Sequence, residues 1–565
     1  MINILRNISW KILSLALLML AAGCSSENDE TGSTSSTFLI VSEKLGYVRP
    51  VKQHSVNVPF SGATYQMTVR ATDDVQWSVT VTEGSDFVTV SPKGNQSGNG
   101  SVTVEVKPNT DKTIKIAKLS IRNSLEDTPA VITLKQVEKE LYIPEGTENQ
   151  STADFERETS KYNKHYMIEG DNVAVFWDRA MGRNPLNAEH SFDKDKLLAA
   201  CEEVYTFLTS QLNFANSPNS YGNKYKLIVF VQNVANGTAY GGGRGNVGML
   251  WLPPGRFNED NNFRIVYHEM CHSMQYITEF DGATGFRGVG AIYEMTSQWA
   301  LLRKYPDWGV NQERGHFDDY INLTHLAMGH SDNAYHNPFM LEYWANNRGV
   351  DFISRLWQAS TQDDEGNYLK TYMRMNKMNQ AAFNEEVYDA ATRFINWDLS
   401  HIHNAYAQYG GTNVHECELK KVAGNYRISN TITTYSPKGR CPQNYGYNGI
   451  KLKVPSGNSE ISINFRGLTS VSGYNVKNKE SAEWRFGFVA VKKDGTVDYG
   501  TPTVAGISQC TAKYNIPEGT AHLWLVVAAT PKNLIKTDDK DPNEWPYEFS
   551  LTGTEPDTEK CKITR

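Results

Sequence analysis

The chain lacks an excess of positive charge and is poor in cysteine. Its 56 lysine and arginine residues are outnumbered by 63 aspartate and glutamate residues, which leaves a formal net charge of −7. Nucleic-acid binding needs a basic surface that neutralises phosphates, so this balance argues against a nucleic-acid partner. Seven cysteines in 565 residues do not make a small disulfide-stapled scaffold.

The cysteines fall into groups with different expectations. Cys201 and Cys271 lie in apolar helical patterns, which predicts buried thiols. Four others lie in the last third of the chain, where an exported protein could join them in three pairings. These are Cys417, Cys441, Cys510 and Cys561.

A run of three glycines, Gly241 to Gly243, does not have the features of a phosphate-binding loop. No Lys-Ser or Lys-Thr pair follows it, and the surrounding pattern predicts no parallel βαβ unit. We interpret the run as a turn between the apolar strands 227–231 and 247–252.

The first 23 residues have the pattern of an export signal. Arg6 and Lys11 supply positive charge, and the apolar stretch 12–22 is too short to span a bilayer comfortably. It ends in Leu20-Ala21-Ala22-Gly23-Cys24, which resembles a bacterial lipobox. The resemblance implies that residues 1–23 are removed and that Cys24 becomes the lipid-bearing first residue.

The polar tract that follows, within residues 24–37, is predicted to be a flexible linker. It resembles the acidic segment after the lipidated cysteine in surface-exported lipoproteins of Bacteroidetes. We therefore expect a lipid-anchored protein of the outer membrane, held at the cell surface, whose contact with the membrane is the lipid on Cys24.

Length alone predicts several domains, since one hydrophobic core rarely serves 565 residues. Residues 38–140 alternate apolar and polar side chains between turn residues, which predicts a small antiparallel sandwich. The module resembles a BACON domain, an immunoglobulin-like module of Bacteroidetes carbohydrate-active proteins. The resemblance rests on Trp77, the segment Phe87 to Pro92, Gly98, Gly100, Asn109 and the closing strand through Gln136. We favour a spacer over a sugar-binding module, because no aromatic platform is evident.

The two remaining regions differ in pattern. Residues 141–410 show strands first and helices afterwards, which predicts an α+β domain. Residues 411–565 are again rich in strands and are predicted to form a β-sandwich of jelly-roll type. The expected fold is thus multidomain: an immunoglobulin-like sandwich, a central α+β domain and a C-terminal sandwich.

The chemistry is expected at His268-Glu269-Met270-Cys271-His272, an HExxH motif inside a helical pattern. Positions i and i+4 share one face of a helix, so His268 and His272 can bind one zinc ion. Glu269 would then overlook the open coordination position and act as general base on water. The preceding strand 247–252 is expected to be the edge strand that pairs with an extended peptide.

A catalytic zinc site needs a third protein ligand. A metzincin is excluded, because position 278 is Thr and position 275 is Gln. Glu279 and Asp281 would require a tight reversal after the helix. Glu294 lies in the next helical pattern, 288–304, which resembles the gluzincin arrangement and makes it the favoured ligand.

Two further roles are assigned to residues around this motif. Gln298, one turn after Glu294, is expected to accept the N–H of His268 where gluzincins often have a carboxylate. A donor to the oxyanion is sought among the His and Tyr residues of the next segment, with Tyr335 and His336 preferred. The other members of that set are His325, His330 and Tyr343.

The central and C-terminal regions together resemble an uncharacterised family of Bacteroidetes HExxH lipoproteins. The matching residues are His268 to Gln275, Glu294 with Trp299, and the C-terminal strands from Tyr445-Gly446-Tyr447 to Trp545-Pro546-Tyr547. More distantly, the His-Glu-x-x-His-x-x-Gln pattern is similar to enhancin-like mucin-degrading metallopeptidases. The resemblance implies a zincin fold and zinc dependence.

Three functions are compatible with these patterns. The favoured one is a zinc endopeptidase acting on extracellular protein or glycoprotein, with glycan contact by the flanking sandwiches as an addition. The alternative is a glycan- or protein-binding surface lipoprotein whose zinc site is structural or degenerate. A zinc hydrolase acting on a bond other than a peptide bond is the third. The intact Glu269 favours catalysis, because a structural site has no use for it.

Overall fold

The computed structural model describes most of the chain after its first 35 residues. The described ranges are 36–42, 53–58, 60, 62–109, 113–136, 138–215, 220–260, 262–409, 417–429, 440–456, 460–537 and 543–564. Cys24 and the export signal lie outside these residues, so the lipid anchor stays a prediction. Within the described ranges, no helix is both long and apolar enough to cross a membrane.

The N-terminal unit consists of two β-sheets that share one core. A four-stranded sheet has the order β1-β3-β7-β5, and a five-stranded sheet has the order β2-β9-β8-β4-β6. Alternate side chains of both sheets, such as Met67 and Leu119, are fully buried between them. The strands are β1 Phe38–Val41, β2 Gln53–Val58, β3 Ala63–Ala71, β4 Gln76–Glu83, β5 Val88–Ser91, β6 Gln96–Ser97, β7 Gly100–Val106, β8 Lys115–Asn123 and β9 Ala130–Gln136.

The central unit is built on a mixed five-stranded sheet with the order β10-β11-β12-β14-β13. Its inner strands β11, β12 and β14 are parallel, and the outer strands β10 and β13 are antiparallel to their neighbours. The inner strands are buried on both faces, as their continuous apolar sequences require. The strands are β10 Met167–Glu169, β11 Val173–Trp177, β12 Leu227–Val231, β13 Tyr240–Arg244 and β14 Val247–Leu252.

Helices pack on one face of this sheet and continue beyond it, which agrees with an α+β unit. Their apolar faces join alternate strand residues such as Val175 and Val229 in one large core. The α-helices are Lys194–Thr206, Tyr221–Lys224, Arg264–Phe280, Ala291–Lys304, Arg314–Leu323, Phe339–Arg348, Phe352–Gln358, Tyr368–Met375, Gln380–Asn396 and His403–Tyr406.

Three expectations about this part of the chain are corrected by the sheet. Gly241 to Gly243 lie in strand β13 and not in a turn. β13 is the outermost strand, so the strand 247–252, which the sequence predicts at the edge, lies inside the sheet. The sheet also contains a parallel βαβ unit, since β11 and β12 are parallel and the helix Lys194–Thr206 connects them. Glycine has a low strand propensity because that propensity depends on the packing of side chains, which glycine lacks. The sequence therefore does not predict a strand here. Here close contact with a helix replaces that packing.

The C-terminal unit is a two-sheet sandwich. A six-stranded sheet has the order β22-β18-β24-β16-β15-β25, and a second sheet has the order β17-β23-β19-β20, with β21 pairing β19. Phe465 from the first sheet and Phe486 from the second stack with ring centroids 4.4 Å apart in the shared core. The strands are β15 Cys417–Val422, β16 Asn425–Ile428, β17 Tyr447–Leu452, β18 Glu460–Gly467, β19 Trp484–Lys492, β20 Val497–Tyr499, β21 Thr503–Ala505, β22 Cys510–Asn515, β23 Thr520–Ala529, β24 Tyr547–Thr552 and β25 Cys561–Thr564.

Candidate metal centre

The HExxH helix, Arg264–Phe280, has 17 residues and lies against the sheet. Its first backbone N–H, that of Arg264, is satisfied by the Asp260 carboxylate at 2.7 Å. Val266, Met270, Met274 and Ile277 are buried in the core, as their spacing predicts. This anchoring face orients the remaining one, which carries both histidines.

The second element of the site is the Glu294 helix, Ala291–Lys304. It brings Glu294 Oε2 to 3.1 Å from His268 Nε2 and to 3.3 Å from His272 Nε2. The two Nε2 atoms are 3.2 Å apart. Within the described part of the chain, this is the one place where three His, Cys, Asp or Glu side chains bring ligand atoms within 4.8 Å of one another.

These separations fit a tetrahedral zinc ion. Zinc binds imidazole nitrogen and carboxylate oxygen at about 2.0–2.2 Å, which places neighbouring ligands of a tetrahedron about 3.3–3.6 Å apart. Two histidines and one carboxylate also form a donor set that leaves a fourth position open. The residues present therefore fit the metal that the sequence predicts.

The short distances between the three donors shift the pKa values of Glu294 and His272. Burial acts to raise the pKa of Glu294, but its hydrogen bonds with His268 and His272 outweigh burial, and the pKa lies well below the usual range. Burial acts to lower the pKa of His272, and the contact with Glu294 reverses this, so that pKa is raised. The carboxylate is thus held in its charged form, as metal binding requires.

Glu269 lies beside this donor set without being part of it. Its side chain is buried, with only 6% of the residue exposed. Burial raises the pKa of its carboxyl group, against the opposing influence of the two histidines. A backbone hydrogen bond from the N–H of Gly241 also holds this carboxylate. Glu269 is therefore a fixed carboxylate with raised basicity, which suits proton transfer.

Gln275 orients His272, a role that the sequence motif alone does not predict. Its amide oxygen lies 2.9 Å from His272 Nδ1, and its amide nitrogen donates to the carbonyl oxygen of Tyr293 at 2.9 Å. Ser297 Oγ lies 3.2 Å from the same Nδ1. The sequence contains an indication of this contact, because residues at positions i and i+3 of a helix lie on the same face, and Gln275 is at i+3 from His272.

Gln298 does not make the contact with His268 that we expected. Its amide nitrogen donates instead to the backbone carbonyl of Tyr335, at 2.9 Å. The side chain therefore reaches the loop that covers the site rather than the ring of His268. Its effect on the metal centre is indirect, through the position of Tyr335.

Tyr335 lies over the donors, whereas its neighbour His336 does not. The Tyr335 ring is nearly parallel to that of His268, with centroids 6.1 Å apart. Burial and a hydrogen bond with Glu294 raise the pKa of Tyr335 to about 12, so its phenol keeps its proton at neutral pH. His336 Nδ1 instead lies 2.8 Å from His316 Nδ1. Of the preferred pair, Tyr335 alone faces the metal donors.

The other three candidates for the oxyanion donor do not contact the metal donors. Tyr343 donates to Asp389 at 2.7 Å, and His330 accepts the N–H of Asp332 at 3.2 Å. His325 is buried, and burial lowers its pKa well below the usual value. None of these contacts involves a metal donor.

The edge strand β13 packs directly on the HExxH helix because the strand residues that face the helix, Gly241 and Gly243, have no side chains. A Cβ atom on Gly241 would lie 1.8 Å from the carbonyl oxygen of Glu269, and one on Gly243 would lie 2.4 Å from the ring of Tyr276. A Cβ on Gly242 would have no neighbour within 4 Å. Packing thus explains two of the three glycines, and Gly242 faces open space.

A cavity of ≈ 300 Å³ adjoins His272 between this strand and the two site helices. Its outer part contains an ion pair, in which Arg287 donates to Glu279 at 2.6 Å. The phenol of Tyr293 donates to the same carboxylate at 2.6 Å. The lining residues are Gly241, Gly242, His272, Gln275, Tyr276, Glu279, Arg287 and Tyr293. The cavity has the position and size to take part of a substrate.

A model of one protein family, described as a family of unknown function (DUF6055), matches residues 133–558. No curated protein matches. A metallopeptidase from Bacteroides thetaiotaomicron is similar at 11% identity and a TM-score of 0.27, over 84% of this chain and 83% of that chain.

Two further solved structures are similar over smaller shares of the chain. A conserved protein of unknown function from Bacillus anthracis aligns at 12% identity and a TM-score of 0.25, over 63% of this chain and 77% of that one. A Bacteroides ovatus GH5 xyloglucanase aligns at 11% identity and a TM-score of 0.16, over 47% of this chain and 61% of that one. All these TM-scores are low, so none of the likenesses carries an argument about activity.

Proposed function

The chain belongs to the family of unknown function DUF6055, and we propose that it is a zinc-dependent endopeptidase acting on extracellular protein or glycoprotein. The observation that carries this proposal is Glu269, a buried carboxylate beside three metal donors and not one of them. A metal that only stabilises a fold needs donors and no further carboxylate. A carboxylate fixed next to an open coordination position is what water activation needs.

The proposed metal ligands are His268, His272 and Glu294. Their donor types and separations match a catalytic zinc site of the gluzincin kind, with three protein ligands and one open position. When bound, zinc supplies Lewis acidity, which polarises a carbonyl group and makes water acidic enough to lose a proton near neutral pH.

Glu269 is assigned the proton transfer. Its carboxylate accepts a proton from the attacking water and later returns it to the amine of the leaving peptide. The N–H of Gly241 keeps the carboxylate in place, and burial excludes bulk water from it. Both features support the role of general base.

Tyr335 is assigned to the oxyanion. Its phenol contacts Glu294 and keeps its proton, so it can donate to the negative charge that develops on the carbonyl oxygen. Gln298 holds the Tyr335 backbone in this position. His336 is not given this role, because its ring contacts His316.

Strand β13 is assigned to substrate binding. It is the outermost strand of the sheet, and two of its glycines, Gly241 and Gly242, line the cavity without side chains of their own. An extended peptide can add to such an edge through main-chain hydrogen bonds. This arrangement supports an endopeptidase that binds an unfolded or extended segment.

The proposal also includes the cellular setting. The lipobox-like Leu20 to Cys24 supports export and a lipid anchor at the outer membrane, facing the cell surface. The N-terminal sandwich supports a BACON-like module that holds the catalytic unit away from the membrane. Glycan contact by either sandwich would add to catalysis and would not replace it.

The test is hydrolysis by the purified full-length protein. We expect cleavage of casein or mucin that is lost on treatment with a zinc chelator and restored by added zinc, with one zinc ion per chain. His268→Ala/His272→Ala should bind no zinc at this site. Full zinc occupancy in that variant would refute the ligand assignment. Zinc binding by wild type without cleavage of any protein or glycoprotein would favour the binding lipoprotein instead.

A further inference from the structure

Two cysteines meet where the last strand of the chain joins the C-terminal sandwich. Strands β15 and β25 are parallel, with Cys417 directly opposite Cys561 in the register. The two Sγ atoms are 2.9 Å apart, and both residues are buried. We propose that Cys417 and Cys561 form a disulfide bond that fastens β25 to β15.

The strand geometry allows this bond without rearrangement. Neighbouring strands lie about 4.7–4.9 Å apart, and a disulfide needs Cα atoms about 4.4–6.8 Å apart. The covalent S–S distance is about 2.0 Å, so the sulfur atoms need to approach by about 1 Å. Side-chain rotation can supply that movement.

The remaining cysteines are placed differently. Cys510 lies in β22, at the opposite edge of the same sheet from β25. Cys201 and Cys271 are buried in the core of the central unit. Cys441 is buried in the sandwich core, with its Sγ 4.0 Å from the carbonyl oxygen of Pro442. Cys441 is therefore the competitor that an experiment must distinguish.

The bond would have a clear structural effect. β25 has four residues and lies at the edge of the sheet, beside β15. A short terminal strand of this kind readily frays. The cross-link spans 144 positions, so it would close almost the whole C-terminal unit into one loop and restrict its unfolded state.

The chemistry requires a two-electron oxidant. Each thiol loses a proton, the two sulfur atoms join, and a disulfide such as oxidised glutathione is reduced to two thiols. The thiolate is the reactive form. Contact with Cys561, together with burial, raises the pKa of Cys417 well above the usual value. We therefore expect the bond to form before β25 is buried and to resist reduction afterwards.

Peptide mapping tests the pairing. Full-length protein is folded in a glutathione redox buffer, alkylated without reduction, digested and analysed by mass spectrometry. We expect a cross-linked peptide pair containing Cys417 and Cys561 that separates on reduction. Recovery of both as alkylated thiols, or of Cys417 linked to Cys441, would overturn the proposal.

A second measurement tests the structural effect. Reduction of the wild type, or the variant Cys417→Ala/Cys561→Ala, should lower the unfolding midpoint of the C-terminal unit by about 5–10 °C. Either change should also let a carboxypeptidase remove the residues of β25. The control Cys441→Ala should keep its sensitivity to reductant. An oxidised wild type whose midpoint and trimming do not respond to reductant would contradict the role of the bond.

Discussion

Replacing Glu269 by glutamine changes the proposed general base and little else at the site. Glutamine has nearly the same shape as glutamate, and its amide oxygen can accept the N–H of Gly241 in place of the carboxylate. It cannot take a proton from water. The metal donors His268, His272 and Glu294 are not altered.

The expected loss of activity follows from the role of the proton transfer. General-base catalysis typically contributes about 10²–10⁴-fold to the rate, which corresponds to about 3–5 kcal/mol of activation free energy. Because Glu269 is buried, little bulk water can take its place as the base, so we expect the upper part of this range. The loss should appear in kcat, with KM nearly unchanged, because the carboxylate acts on the transition state.

The unfolding midpoint of Glu269→Gln should stay the same or rise, although its activity falls. Burial raises the pKa of Glu269 in the folded protein. An acid with a raised folded-state pKa contributes stability below its unfolded-state pKa and loses that contribution as the pH rises through the folded-state pKa. In its charged form the buried carboxylate therefore costs folding free energy, and the neutral amide of Glu269→Gln does not carry this cost. In metal-free protein, the unfolding midpoint should be unchanged or higher.

The assay compares three properties of the same preparations: zinc content, unfolding midpoint and the rate of protein hydrolysis. Glu156→Gln is a matched control, because Glu156 is an exposed carboxylate of the same unit that pairs with Lys164 at the surface. It should keep all three properties. If Glu269→Gln binds zinc and retains wild-type turnover, Glu269 is not the base and the mechanism is wrong.

Three further predictions concern groups around the metal. Tyr335→Phe should lower kcat by about 10²–10³-fold if its phenol is the oxyanion donor, with zinc content unchanged; an unchanged kcat would exclude that role. Gln275→Met should weaken zinc binding about 10–100-fold, because the partner of His272 Nδ1 is lost, as measured by competition with a chelator. Gly241→Ala should destabilise the protein and displace Glu269, whereas the neighbouring Gly242→Ala should leave the unfolding midpoint nearly unchanged. Equal midpoints for the two alanine variants would contradict the close packing of β13 on the helix.

Some features of the site could be predicted because they depend on neighbouring positions in the chain. The i, i+4 spacing of His268 and His272 places both on one helix face, whatever the rest of the fold does. The apolar spacing of Val266, Met270 and Met274 likewise identifies the face that is buried. The sequence favours Glu294 because it lies in the next helical pattern, and the structure brings it to both histidines.

Other features depend on contacts between segments far apart in the sequence. The sequence predicts that Gln298 contacts His268, but in the structure its amide donates to the backbone carbonyl of Tyr335. The same packing turns His336 towards His316 and leaves Tyr335 over the donors. A side chain's partner is decided by which loop covers it, and local spacing does not contain that information.

Local sequence patterns are enough to identify the buried strands, the HExxH helix and its two histidines. The packing of distant segments makes the glycine run the edge strand of the sheet and brings the N–H of Gly241 to the Glu269 carboxylate. It also decided that Cys417 meets Cys561 from 144 positions away. The physical reason is that periodicity reports which face of an element is buried, whereas the partner of that face depends on how distant elements pack.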